Sequence, residues 1–590
     1  MPTEPAAEAA PSAPARPGRI RRTLTFVREL FRLRVDKSTG RVGLVALAFV
    51  GLFGVIGGRL ALIGLKPDES ALRRAAGREI AAARPDILDR NGEVMATDVK
   101  VVSVFADPRK VVDKDEAVEL LTAVLPDLNA RELRQKLGRV DRRRGFVWIK
   151  REVTPRQQAE VHRLGIPGVG FMPENKRVYP NGVAGAHVLG FANIDNAGIA
   201  GIEKYIDGQG LKDLNGAGFA LSSADLAPVR LSLDLRVQHA LRDELAKGMA
   251  KFKAKAAAGA VMDVNTGEVI GLVSLPDFDP NNPVDALEKD RINRINVGVF
   301  EMGSTFKALT TAMALDSGRF TINSSLDARG ALHWGKFKIG DYHAQHRVMT
   351  VPEVFIYSSN IGTAKMALGV GVEGHKAFLR KAGQLERLVT ELPENALPIV
   401  PSRWGELNTI TIAFGHGIAV APLQALMAVG ALVNGGIMIK PTFLKRSEEE
   451  ARQLGVRIIK PETSEAMRYV MRLNATKGSA SAAAIAGFFV GGKTGTAEKV
   501  VNGRYSKTKN LTTFTAVYPM DKPKYVFLTI LDEPAAVEGT HGFTTSGWNA
   551  APVTGNIIER VAPMLSVPPR FEPPEKAFPL MVKLGAWGTR

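Results

Sequence analysis

The chain has 590 residues, 45% of them apolar and 23% charged, with a formal net charge of +18. These are globular values, with enough length for two or three domains, and they exclude wholesale disorder. Cysteine is absent, which excludes disulfides, Cys-ligated zinc, iron–sulfur clusters and a thiol nucleophile. The basic residues are scattered, with clusters near the N-terminus and at Arg142–Arg144, and lack the arginine–aromatic pattern of a nucleic-acid module. No nucleic-acid partner is expected; such a surface suits an anionic polymer or a membrane face.

In chain order, residues 1–18 are rich in Ala, Pro and Glu and read as a disordered start. A basic segment follows, completing a tail over residues 1–41 with Arg19, Arg21, Arg22, Arg28, Arg32, Arg34, Lys37 and Arg41. Val42–Gly58 runs without a charge, then Arg59, then Leu60–Leu65. This is near the length a bilayer needs, so residues 42–65 are expected to form one transmembrane helix. The positive charge before it places the N-terminus in the cytoplasm. A cleaved signal peptide fits less well, because the apolar run is long and no small-x-small site follows closely. The pair Arg21-Arg22 only faintly matches a twin-arginine signal.

Residues 66–229 alternate short β-like runs (VVSVFADP, RGFVWIKREV) with helical ones (AVELLTAVL, ARELRQKLG), punctuated by turns in DRNGE and YPNGV. They read as an α+β module standing between membrane and main domain. After the hinge LSSADLAPVR the texture changes, and residues 230–563 read as one large domain. Ala258–Ser274 predicts two strands around the turn Asn265-Thr266-Gly267. Strand-like runs return at FTAVYP and KYVFLTILDEP, and a closing helix is expected. Strands at both ends of a helical middle predict one sheet assembled from distant segments. Residues 564–590 form a Pro-rich tail, expected to be extended.

The stretch GFFVGGKTGT (Gly487–Thr496) satisfies two patterns. As G-x-x-x-x-G-K-T it is a nucleotide-binding P-loop, which needs a strand, an anion-cradling glycine loop and a helix starting at the lysine. Phe488, Phe489 and Val490 are poor loop residues, and EKVVNGRYS beyond it has a turn at Asn502-Gly503 and no helical period. The segment therefore reads as a strand. There Thr494 and Thr496 share a face and Lys493 projects elsewhere. Gly495 allows another backbone to come close. Such an edge suits an extended peptide, with hydroxyls and a cation for its carboxylate.

A nucleophile is then needed. FEMGSTFKALTTAMALDSG (Phe300–Gly318) places Ser304 three residues before Lys307 at the start of a helical pattern that Gly318 can end. A helix start favours negative charge developing near the serine oxygen. Alone, S-x-x-K is weak, because an N-cap serine with a solvated lysine is the commoner arrangement. Met349–Gly369 opens with the capping box Thr350-x-x-Glu353 and delivers Ser358-Ser359-Asn360 at an interhelix turn. By itself this too would be an ordinary helix end. The ordered set S-x-x-K, S-x-N, K-T-G, each in a fitting context, is far more specific.

With these three motifs the chain resembles the class B penicillin-binding proteins, single-pass enzymes that crosslink peptidoglycan. Further stretches fit the family: RPDILDRNGEVMA, RVYPNGVAGAHVLG, GIEKYID, GHGIAVAPLQ and LDEP. Pro85 and Met302 depart from it, standing where Gly and Pro are usual. The S-S-N and K-T-G-T forms resemble the septal, FtsI-type branch more than the elongation branch. The resemblance implies a membrane-anchored α+β protein: an N-terminal helix, an α+β pedestal, and a penicillin-binding transpeptidase domain with a central antiparallel sheet and a helical subdomain. It implies Ser304 as nucleophile and Lys307 as base, kept neutral by burial and by Lys493. Ser358 would relay a proton, Asn360 would hold Lys307 and the substrate amide, and Thr494, Gly495 and Thr496 would bind the substrate. The N–H groups of Ser304 and Thr496 would form the oxyanion hole. No metal or other cofactor is needed. Implied partners are stem peptides, β-lactams as covalent inhibitors, a polytopic glycan polymerase and division proteins. Implied localisation is the inner membrane, with the catalytic domain periplasmic. A carboxypeptidase, a β-lactamase, an elongation enzyme or an inactive scaffold carries the same motifs or fold and stays open here.

Overall fold

The computed structural model describes residues 37–65, 83–138, 145–211, 226–501 and 503–571. The expectations for the start of the tail, for the hinge at 221–225 and for the Pro-rich end from 572 lie outside the described residues. The chain forms two compact units, Met1–Glu79 and Ile80–Arg590. In the first, Lys37–Leu65 is one helix of 29 residues, and its described side chains, Val45 to Arg59, are all exposed. Among the described residues no helix is long and apolar enough to cross a membrane. The expected transmembrane span over 42–65 is therefore not established by the fold.

The second unit opens with a five-stranded sheet. Its long strand Val94–Ala106 pairs antiparallel with Val147–Val153 and with Val169–Val178. One face is closed by the helices Lys114–Val124, Ala130–Gly138 and Pro155–Arg163, which bury Leu121, Leu133, Leu137 and Val161 with Val104, Ile149 and Val153. The helical periods over AVELLTAVL and ARELRQKLG thus supply the apolar stripes that cover the sheet.

A buried ionic cluster ties this module together. Arg84 donates to Glu203 Oε2 (2.7 Å) and Asp207 Oδ1 (2.6 Å), and Arg177 donates to Glu203 Oε1 (2.6 Å) and Asp98 Oδ1 (3.1 Å). Arg84 and Glu203 are 1% and 0% exposed, so each charge is held only by its partners. The turn after Arg84 joins the modules: Leu235 N–H donates to Asp89 Oδ2, and Arg90 N–H to the Leu233 carbonyl. Ile87–Leu88 also pairs parallel with Val229–Arg230.

The larger module is built on an antiparallel sheet in the order Gly491–Val501, Arg504–Tyr518, Tyr525–Asp532, Ala256–Asp263, Val269–Leu275. The first two expected strands meet the last two, as the separated sequence runs required. Both faces are buried, so alternate residues enter different cores. Tyr525, Phe527 and Leu531 pack with Leu241, Leu245, Ile557 and Ile558 of the helices Leu235–Lys251 and Ala550–Val561. Val526, Leu528 and Ile530 face the helical subdomain instead, with Phe306, Leu309, Leu426 and Met471. At its centre runs Phe306–Asp316, buried from Phe306 through Ala314.

Replacing Glu203 with alanine takes one carboxylate from two buried guanidinium groups, leaving Arg84 to Asp207 and Arg177 to Asp98, and should cost about 3–5 kcal/mol. Urea unfolding of the wild-type and Glu203→Ala chains checks this. A loss below 1 kcal/mol (about what an exposed pair contributes) would show that water replaces the carboxylate.

Candidate active site

Three segments bring the sequence-predicted residues to one place. Ser304 lies in the tight turn Gly303–Thr305 that leads directly into the buried helix Phe306–Asp316, and it is half-buried. Lys307 stands one turn on, 1% exposed. The capping box forms as expected, with Glu353 Oε2 accepting from Thr350 N–H (2.8 Å), and starts the helix Val351–Ile356. The next helix begins at Asn360, so Ser358 and Ser359 make the interhelix turn. Ser358 adopts φ +54°, a left-handed conformation that is costly for a non-glycine residue and marks a functional turn.

The third segment is the edge strand Gly491–Val501. No helix follows Lys493: the strand continues to a hairpin that pairs Val501 with Arg504. A phosphate-binding loop is therefore absent at this place. Gly495 fits its expected role, since a Cβ there would lie 2.6 Å from the Met302 carbonyl oxygen and 2.4 Å from Thr513 Oγ1. Gly303, at φ +52°, would place its own Cβ 2.6 Å from the Thr496 carbonyl oxygen. In a strand a residue's N–H and C=O lie on the same side of the ladder. Because the Thr496 carbonyl faces Gly303, its N–H faces the Ser304 turn as well.

At the centre, the Ser358 hydroxyl is shared by two lysines. Lys307 Nζ donates to Ser358 O (2.5 Å) and Oγ (3.1 Å), and Lys493 Nζ donates to the same Oγ (3.0 Å) and to Thr494 O (3.1 Å). Lys493 is 0% exposed and stacks 5.7 Å from the Phe355 ring centroid. Burial, and then the positive charge of Lys493, hold Lys307 well below the usual ammonium range, while Asp341 opposes them. Burial pushes Lys493 down to about 7. An ammonium has only donors, whereas a neutral amine gains a lone pair. With Lys307 neutral, the Ser358 hydroxyl can accept from Lys493 and donate to Lys307, which makes a proton path between the two amines.

The threonines are less open than the sequence suggested. Thr494 Oγ1 is hydrogen-bonded to Ser479 Oγ (2.6 Å). Thr496 Oγ1 accepts from Ser546 N–H (3.2 Å), which leaves its own proton to donate. Asn360 departs from its expected place on Lys307: its Nδ2 donates to the Gly340 carbonyl (2.9 Å). Sequence reasoning missed Asp341, which accepts from Ser359 Oγ (2.7 Å) and Ile361 N–H (3.0 Å). It also missed Glu301, whose Oε1 accepts from Gly417 N–H (2.8 Å) and Tyr505 O–H (3.0 Å). Nothing in the local pattern marks these two carboxylates, because their partners lie far along the chain. Among the described residues no group of three His, Cys, Asp or Glu side chains is arranged to hold a metal ion.

A serine at the start of a buried helix, a depressed lysine one turn on and an edge strand that brings a second buried lysine beside them together fit a serine acyl-transfer site. Residues 257–559 match the family model of the penicillin-binding protein transpeptidase domain, and residues 79–209 that of the penicillin-binding protein dimerisation domain. The chain belongs to the class B penicillin-binding proteins of the FtsI type. It is 38% identical to a probable peptidoglycan D,D-transpeptidase FtsI of Caulobacter vibrioides, over 84% of this chain and 83% of that protein. Identity to the FtsI of Escherichia coli K12 is 30%, over 89% and 91% of the two chains. Identity to a probable peptidoglycan D,D-transpeptidase PenA of Neisseria meningitidis serogroup B is 32%, over 86% and 91%.

The buried lysines give a pH signature to stability. A lysine whose folded value is depressed binds fewer protons than in the unfolded chain, so its contribution rises with pH between the two values. For Lys493 that window runs from about 7 to 10.5. Urea unfolding should show the wild type gaining stability across it, and Lys493→Met should lose up to ~1.4 kcal/mol of that gain per pH unit. Equal slopes would mean that Lys493 titrates normally.

Proposed function

We propose that this chain is a peptidoglycan D,D-transpeptidase that crosslinks stem peptides through an acyl-enzyme on Ser304 during cell division. The observation that carries the proposal is the Ser358 hydroxyl held between Lys307 and Lys493 beside the Ser304 turn. Ser304 Oγ attacks the carbonyl between two terminal D-alanines, and neutral Lys307 takes its proton. The N–H groups of Ser304 and Thr496 receive the developing oxyanion. As the C–N bond breaks, a proton passes from the lysine pair through Ser358 Oγ to the leaving D-alanine amine. Thr496 O–H, with Thr494 and the backbone at Gly495, holds the substrate carboxylate. An amine from a second stem peptide then attacks the ester and gives its proton to Lys307, which returns it to Ser304 Oγ as the ester C–O bond breaks, restoring the free serine and the neutral lysine. Asn360, hydrogen-bonded to Gly340, supports the turn that carries Ser358 and presents its remaining amide atoms to substrate. A β-lactam enters the same path, its ring opening onto Ser304, so no leaving group departs.

Incubating the chain with benzylpenicillin and measuring intact mass tests this reading. A stable adduct on Ser304, lost in Ser304→Ala, is expected. Rapid turnover to hydrolysed drug would instead mean a β-lactamase, and neither adduct nor turnover a scaffold.

The same reading includes a single-pass anchor in the inner membrane, the N-terminus cytoplasmic and the catalytic region periplasmic. Its support is the uncharged run Val42–Gly58 inside one helix, preceded by a basic segment. The family's crosslinking role also calls for a glycan strand from another enzyme, so the anchor and pedestal would meet a polytopic glycan polymerase and division proteins. Exchanging residues 42–65 for an unrelated apolar helix should weaken co-purification with that polymerase. Undiminished association would remove the anchor from the contact.

A further inference from the structure

The groups around the two lysines include one carboxylate that the reaction above does not use. Asp341 lies in the loop before the Val348–Thr350 strand and reaches the Ser358 turn from outside. Its Oδ2 accepts from Ser359 Oγ at 2.7 Å, and its Oδ1 from Ile361 N–H at 3.0 Å. The neighbouring Gly340 carbonyl accepts from Asn360 Nδ2 at 2.9 Å. Three successive residues after Ser358 are thus each tied to the pair Gly340-Asp341. Ser358 is also the residue with the left-handed backbone, and only surrounding contacts can hold it there. The charged and titratable groups facing Lys307 are Lys493, Asp341 and, at the Gly415–Gly417 loop, His416. His416 is kept neutral near pH 7 by burial. Asp341 is therefore the anion that acts on the buried Lys307 amine.

We propose that Asp341 is a positioning residue for acyl transfer: it clamps the Ser358–Asn360 turn from the loop side and supplies the negative charge that Lys307 works against. This rests on the acyl-transfer reading given above. Two roles follow. Mechanically, Asp341 sets where Ser358 Oγ lies between the amines, and displacement by an ångström is costly to a proton path. Electrostatically, it raises the proton affinity of Lys307, which keeps the base strong enough to take the Ser304 proton while burial and Lys493 pull the other way.

The test uses the full-length chain in detergent, with the rate of acylation by a fluorescent penicillin followed across pH. Asp341→Asn retains the shape of the clamp and removes the charge, and Ser359→Ala retains the charge while removing one clamp bond together with the helix cap that Ser359 Oγ makes to Gly362 N–H (3.0 Å). Sign matters here: losing a neighbouring anion lowers the Lys307 value further, so the acid limb of the rate profile moves to lower pH. Asp341→Asn should shift that limb down by about half a pH unit or more and slow acylation on the order of tenfold. Ser359→Ala should slow acylation and leave the limb in place. If Asp341→Asn acylates with the wild-type profile, or slows with an unmoved limb, the proposal is overturned. If the wild type itself forms no adduct on Ser304, the acyl-transfer reading fails instead. Thermal melting of each variant separates a folding defect from a catalytic one. Should Asp341→Asn melt early, Asp341→Glu, which retains the charge, must show an unshifted limb for the proposal to stand.

Discussion

Two lysine amines buried around one serine hydroxyl are the constraint on which the remaining structure depends. Taking Lys493 from its ordinary value to about 7 costs the charged form about 5 kcal/mol of preference, and Lys307 is held well below its ordinary value by the same burial and by its neighbour. An isolated pair of this kind would swell open to water. It persists because Lys307 sits on a helix buried on every side, while Lys493 lies on a strand whose near face is covered by Phe355 and the Ser358 turn. The packing of the helical subdomain against the sheet is thus what disfavours the charged form of both lysines.

Close backbone approach is the second requirement. Ser304 and the edge strand can meet only because Gly303 and Gly495 lack side chains where carbonyl oxygens pass. That approach turns the Thr496 N–H toward the Ser304 turn. The strand Gly491–Val501 pairs on one side only, with Arg504–Tyr518, and so forms the edge of its sheet.

The pedestal module contributes stiffness rather than chemistry. Its buried Arg84, Arg177 and Glu203 satisfy one another and the carbonyls around them, and Asp89 and Arg90 carry that rigidity to the segment Leu233–Leu235 that leads into the catalytic module. An apolar cluster of similar volume could give equal stability, but it would lack the directional bonds that set the angle of the turn.

Much of this was legible in the residues. The order S-x-x-K, S-x-N, K-T-G, the capping box at Thr350, the strand that carries Lys493 (which begins at Gly491, so that the expected strand over Phe488–Val490 does not form) and the separated sheet segments are all local properties, since propensity, period and turn chemistry act over a few residues. They sufficed to place Ser304, Lys307, Ser358 and Lys493 and to set aside a phosphate loop. What only the tertiary structure decided were contacts between distant segments: Asp341 on the Ser358–Asn360 turn, Glu301 beneath Tyr505, Ser479 on Thr494, and Asn360 turned to Gly340 rather than to Lys307. Side-chain partners of that kind depend on which surfaces meet on packing, and no short-range pattern records it. Burial is the same: a lysine reads alike in sequence whether solvated or enclosed, and only the assembled core lowers the proton affinity of Lys307.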